Sequence, residues 1–281
     1  MATLRLERPG PGGRAGLVII MAFALVALAV STGLYPADAA VATGSGQWEP
    51  ASGRHWFGTN RLGQDIFARA IVGAATAFKV GMTVTLLSLL LGAFFGVVAG
   101  WRPGGWLDAL VVWLMGVLDA IPFYLFAAAL AFALGGGEAA MYTAMVLTFW
   151  TATARLVRAE VMRLRQLDYV ASARAIGVAG PLIAVRHLLP NCRHLLLVQA
   201  ALTFVAAIKT EVILSFLGIG MRDGVSWGLM LSESTQDVLA GHFGNFLAAS
   251  ALMFVLLLGF NLLADALQQP NPDSAKAMVG A

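Results

Sequence analysis

The sequence predicts an all-α integral membrane protein with six transmembrane helices. Three observations carry that expectation. Of the 281 residues, 59% are hydrophobic and 12% charged, whereas soluble domains carry about 25% charged residues. Mean hydropathy is +0.80. Apolar runs of about 20 residues, the length at which a helix crosses a bilayer, recur along the chain.

The first predicted span is Ala15–Leu34, a run of 20 residues without a charge. Arg5, Arg8 and Arg14 precede it and Ala-rich sequence follows near Ala39, as in a secretory signal peptide. Its length suits an uncleaved spanning helix better. The second span is Val80–Trp101, again uncharged, and the third runs from about Leu107 to Leu134 and carries Asp119 and Pro122. A fourth, about Ala139–Ala154, is short. It is expected to continue as one helix through "RLVRAEVMRLR" as it leaves the membrane. The fifth, about His194–Leu217, contains Lys209 and Glu211, and the sixth is about Phe243–Ala264. The chain thus divides into a tail (1–14), a first span (15–34), an outer segment (35–79), a five-helix core (80–267) and a second tail (268–281). The closing "QQPNPDSAKAMVGA" reads as a disordered end.

Six spans put both termini on one side, and the cations orient them. With the N-terminus inside, the inner segments hold Arg5, Arg8, Arg14, Arg102, Arg155, Arg158, Arg163, Arg165, Arg174, Arg186, Arg193 and Lys276. The outer segments hold only Arg54, Arg61, Arg69, Lys79 and Arg222. That excess on one side is the positive-inside pattern and places both ends in the cytoplasm. Two outer stretches, Pro36–Lys79 and Gly218–His242, are long enough either to touch a soluble partner or to serve as solvated connectors.

Several chemistries are missing. The chain has no GxxxxGK[ST], and Lys79, Lys209 and Lys276 follow Phe, Ile and Ala, so no Gly-Lys pair exists to cradle a phosphate. There is no HExxH; His55, His187, His194 and His242 are scattered, and Cys192 is single. A metal site, an intrachain disulfide and a catalytic constellation are therefore not expected.

The inner stretch "DYVASARAIGVAGPLIAVRHLLPN", Asp168–Asn191, is polar between apolar spans. Asp168 is a candidate N-cap. Tyr169, Val170, Ala173 and Ile176 fall on one side at helical spacing, with Arg174 opposite. Gly177 is placed to end this helix in the left-handed conformation. Gly180-Pro181 starts a second helix, with Leu182, Val185, Leu188 and Leu189 as its apolar face and Arg186 and His187 as its polar one. Pro190 ends or kinks it. Ala171, Ser172 and Ala173 give the first helix a small-residue face. That face suits a groove on a cytoplasmic partner; resting on lipid headgroups is the alternative. Among the intramembrane charges, Asp119 precedes the kinking Pro122, while Glu211 and Lys209 lie two residues apart and do not face each other on a helix. These residues either border a substrate path or bond internally.

The same stretch resembles the EAA loop of ABC-transporter permease subunits: "ASARAIG" stands where "EAARALG" is common, and "RHLLPN" where "RHILPN" is. From about Trp56 to Leu267 further segments are similar to the dipeptide/oligopeptide/nickel importer branch, in its second-permease subunit type. These are "FGTNRLGQDIFARAIVGA", "GGWLDAL", "AIPF", "EVILSFLGIG", "SWGLML" and "FNLLADALQ". The resemblance implies a type I ABC importer permease fold and a multi-pass place in a bacterial cytoplasmic membrane. It implies no catalysis in this chain; ATP and Mg would bind two partner ATP-binding cassette subunits. A second homologous permease and an extracytoplasmic substrate-binding protein complete the implied assembly, with no nucleic acid. Tyr169–Ile176 would be the coupling helix, and Ala171, Ser172, Ala173, Arg174, Gly177, Arg186 and Pro190 would transmit ATPase motion. Asp119, Pro122, Lys209 and Glu211 are the path candidates. Peptides are the implied cargo, with nickel or a metal–chelator or opine complex as the alternative within the family. A proton-coupled secondary transporter is the rival from another class; it would show inverted-repeat hydropathy, which is not evident here. Departures from the pattern include Ala171 in place of an acid, Gln64 and Thr76 in place of Arg, Val72 in place of Tyr, and Lys209 where an apolar residue is usual.

Overall fold

The computed structural model describes residues 10–221 and 224–268. Arg5, Arg8, Arg222, Lys276 and the C-terminal tail lie outside the described residues. Ten helices follow in order: α1 (Pro11–Ser31), α2 (Ile66–Trp101), α3 (Trp106–Asp119), α4 (Phe123–Ala133), α5 (Glu138–Leu164), α6 (Asp168–Ala175), α7 (Gly180–Ile183), α8 (Arg193–Phe216), α9 (Trp227–Leu239) and α10 (Gly244–Gln268). Among the described residues there is no strand, only an isolated bridge between Thr59 and Asp65.

Four helical stretches are long and apolar enough to cross a membrane: α1, α2, Gly180–Phe216 and α10. The bent pair α3–α4 makes a fifth if counted as one span. The remaining expected span, the fourth, corresponds to α5, 27 residues long. It runs unbroken into the charged stretch, as anticipated, but its threonines and arginines keep its hydropathy below that of the other four.

Three expectations are corrected. α2 begins at Ile66, not Val80, because Asp65 caps it by accepting from the Ala68 amide at 2.9 Å. Its 36 residues extend about 54 Å at 1.5 Å each. Arg69 and Lys79 interrupt the apolar run over its early turns, so the uncharged stretch begins only at Val80. The third span is not one kinked helix: α3 and α4 meet at 96° across Ala120–Pro122. Pro122 lacks an amide hydrogen and disfavours helical geometry at Ile121, so the helix stops and restarts. Finally, the stretch expected as a loop at 218–242 contains α9, capped by Ser226, whose hydroxyl accepts from the Leu229 amide at 3.2 Å.

Close helix approach holds the bundle, since lipid tails remove most of the hydrophobic drive for helix association. α5 lies along α2 on a ladder of glycines. A Cβ on Gly96 would sit 2.7 Å from the Ala154 carbonyl oxygen, and one on Gly100 2.7 Å from that of Arg158. Gly92 meets Thr153 in the same way. α1 crosses α10 where Gly16 would bring a Cβ to 2.6 Å from the Gly259 carbonyl. Between these pairs lies an aromatic core. Trp227 is fully buried, donates its indole N–H to the Ala70 carbonyl at 3.1 Å and takes the Phe23 ring edge-on at 6.0 Å. Phe204 stacks on Phe260 at 3.7 Å.

The segment between α1 and α2 is folded onto the bundle. Trp48 stacks on His242 at 4.8 Å and donates its indole N–H to Asp237 at 2.9 Å. Arg69 is buried and joins Gln64 to Glu233 of α9. His55 bridges Asp65 at 2.7 Å and Ser45 at 3.0 Å. That order of groups is shared with hydrolytic triads, but here Asp65 also caps α2. The amide after Ser45 is spent on the Glu49 carboxylate at 2.5 Å, so it is not free to stabilise an oxyanion.

Candidate coupling unit and intramembrane cleft

Asp168–Asn191 forms a two-armed unit. The first arm is α6, but Asp168 is not its cap. Leu167 occupies that position in extended geometry, without a side-chain bond. Asp168 is the first helical residue, where its charge complements the helix dipole. Val170 and Ala173 are buried against Ile183, Leu188 and Cys192 and against Val157, Val161 and Leu164 of α5. Ile176, expected on the same side, is 81% exposed. Ala171, Ser172 and Arg174 face outward, so two of the three small residues are open to a partner while Ala173 seats the helix.

Gly177 has φ +83°. Its amide donates to the Arg174 carbonyl and the Val178 amide to the Ala173 carbonyl, both at 3.0 Å. This pair of bonds is the Schellman closure, which needs a left-handed residue at that position. The helix end expected at Gly177 therefore has a definite backbone form.

The second arm starts at Gly180-Pro181 as anticipated. Pro190 does not end it. The chain passes through a π turn (Ala184–Leu188) and a 3-10 turn (Leu189–Cys192) directly into α8. Proline offers no amide for the carbonyl four residues back, and a wider turn lets the backbone continue. One residue on, the Asn191 side-chain amide donates to the His187 carbonyl at 2.5 Å. The buried side is also rotated from expectation: Ile183, Ala184 and Leu188 are inside, whereas Leu182 and Val185 are 49% and 64% exposed. Arg186 is exposed.

Trp101, at the end of α2, was missed by sequence reading. Arg165 donates to its carbonyl at 2.7 Å, Arg174 lies over its ring at 4.4 Å, and Gly180 passes close to its indole. It thus joins α2, the end of α5 and both arms. A tryptophan at the end of an apolar run beside an arginine was the available signal.

The α3–α4 break opens a cleft of about 510 Å³ bordered by Asp119, Pro122, Phe123, Phe126, Phe149 and Thr151. Asp119 accepts from the Thr151 hydroxyl at 3.3 Å and pairs with Arg155. The Asp119 and Arg155 side chains are 40% and 59% exposed. Deeper in the fold, Asp108 is buried and receives two bonds from Arg158, at 2.6 and 2.9 Å. Arg155 and Arg158, counted for orientation, are therefore matched by carboxylates within the fold, as are Arg163 by Glu160, Arg69 by Glu233 and Lys79 by Glu138. The four path candidates do not converge. Asp119 and Pro122 line the cleft, Lys209 is exposed on α8, and Glu211 is fully buried, accepting from Ser215 at 2.8 Å with Ser226 nearby.

Comparison with known proteins agrees with this geometry. Residues 92–270 match the family described as binding-protein-dependent transport system inner membrane component. The dipeptide transport system permease protein DppC of Bacillus subtilis (strain 168) is 33% identical over 255 residues, covering 90% of this chain and 79% of that one. The glutathione transport system permease protein GsiD of Pectobacterium atrosepticum is 36% identical over 222 residues, covering 78% and 73%. Among solved structures, a chain of the MetNI methionine ABC transporter in inward-facing conformations superposes with a TM-score of 0.54 at 16% identity. The match covers 72% of this chain and 97% of that one. It establishes the fold.

Proposed function

The chain belongs to the binding-protein-dependent transport system inner membrane component family, and from that premise we propose that it forms half of the translocation pathway of an ATP-driven importer of di- or oligopeptides. One observation carries the mechanism: α6 is seated on α5 by Val170 and Ala173, closed by Gly177, and open on its Ala171–Ser172 side. A helix held in this way moves with the bundle as a rigid body, so a partner's push on its open side reaches α5 and α8. ATP and Mg would act in two ATP-binding cassette subunits docked there, and a second homologous permease would complete the pathway. An extracytoplasmic binding protein would deliver cargo near the folded outer segment, with both termini of this chain in the cytoplasm. Peptide cargo is supported by relatives named for dipeptide, oligopeptide and glutathione transport.

Asp119 and Arg155 are the groups we assign to the path. An exposed ion pair is poorly suited to lipid, and it fits a wall facing water or protein. The ammonium of a passing peptide would exchange onto Asp119.

Crosslinking tests the coupling reading. Cys192 is buried and is the only native cysteine, so Ser172→Cys adds one accessible thiol. It should crosslink to a co-purifying ATPase subunit; a thiol that stays free in an assembled, ATP-hydrolysing complex would refute the docking surface. Impermeant reagents should label Ser172→Cys and Gly44→Cys from opposite sides of the membrane, and labelling from one side would overturn the orientation. For the path, unchanged peptide uptake by Asp119→Asn with normal assembly would remove Asp119.

A further inference from the structure

We infer that the groove between the end of α2, the start of α3 and the second arm of the coupling unit is a binding site for one anionic phospholipid. The groove has a volume of about 490 Å³, and its walls are apolar: Phe94, Val97, Val98, Trp101, Leu107 and Val185. Such a wall suits an acyl chain. Its rim is cationic. Arg102 borders the groove, is exposed, and engages no protein partner among the described residues. Arg165 and Arg174 sit on either aspect of the same Trp101, one on its carbonyl and one on its ring. Neither of these two borders the groove, so Arg102, beside an apolar slot at the boundary of a span, is the cation left to meet a phosphate headgroup. A zwitterionic headgroup would bring its own cation against that arginine.

The location gives the site a consequence. The groove has one wall on α2 and α3 and the other on Pro181, Ala184, Val185 and Leu189 of the coupling unit. A lipid seated there bridges the lever and the bundle, so the anionic lipid content of the membrane would tune the lever's movement. The binding site needs only membrane insertion of this chain and is independent of the cargo; its effect on the lever rests on the coupling role proposed above.

Tryptophan quenching tests it. The full chain is reconstituted into phosphatidylcholine vesicles containing either brominated phosphatidylglycerol or brominated phosphatidylcholine. Quenching assigned to Trp101 is obtained by difference from Trp101→Phe. Brominated phosphatidylglycerol should reach half-quenching at about fivefold lower mole fraction, the preference expected from one arginine at a membrane surface. Arg102→Ala should abolish that preference. Val185→Phe, at an exposed wall position, should weaken quenching by both lipids. Equal quenching by the two lipids in the native chain would mean ordinary boundary lipid and overturn the site. A preference that survives Arg102→Ala would overturn the assigned headgroup contact. Loss of quenching on adding the ATPase subunits would show a protein occupant instead.

Discussion

Replacement of Gly177 isolates the backbone geometry of the lever from its contacts. The residue holds φ +83°, and a Cβ built there meets nothing within 4 Å. The first side-chain carbon therefore adds no clash, and left-handed strain is the main effect of a substitution. That strain is about 1–2 kcal/mol for an ordinary L residue, a factor of about 5–30 in the population of the closed turn. β-Branched residues suffer most and asparagine least. Val170 and Ala173 remain seated, so α6 should persist while its junction to the second arm loosens. In reconstituted vesicles with the partner subunits, Gly177→Val is expected to retain ATP hydrolysis and lose about 5- to 30-fold in uptake per ATP. Gly177→Asn should stay near wild type. Full coupling in the valine variant would refute the reasoning. So would equal losses in both variants, because bulk at the partner surface rather than φ would then be responsible.

Three further outcomes follow from the packing. Gly96→Leu must push α5 away from α2 and is expected to destabilise by about 1–3 kcal/mol, seen as a lower thermal midpoint in detergent, whereas Gly116→Ala, with nothing within 4 Å, should be neutral or stabilising. Asp108→Asn leaves Arg158 with a weaker acceptor. It should remove about 1.5–3 kcal/mol, and an unchanged midpoint would show the pair contributes nothing. Trp48→Phe keeps a ring for His242 but loses the bond to Asp237, so limited proteolysis between residues 36 and 65 should accelerate.

Much of the protein was readable in one dimension. Spans with few charges announce themselves, because every backbone polar group in lipid must bond within its own helix. Gly177 and Gly180-Pro181 were also legible, since turn chemistry is local. Boundaries set by caps were less so. Asp65 starts α2 well before its uncharged run, and Leu167 rather than Asp168 opens α6. The glycine ladder at 92, 96 and 100 was visible as a four-residue spacing, but nothing in the sequence identified α5 as its partner.

The sequence by itself determined that the chain is a helical membrane protein, where its polar island lies and where that island can turn, because hydropathy, proline and positive φ act within a few residues. Only the tertiary structure decided which residues meet. It broke the third span at 96° and set Asp119 against Arg155, 36 positions away. It drew Arg165 and Arg174 to Trp101, and it separated Glu211, buried, from Asp119 in an open cleft. Those outcomes depend on distances between helices, and helix spacing is settled by side-chain volumes summed over the whole bundle.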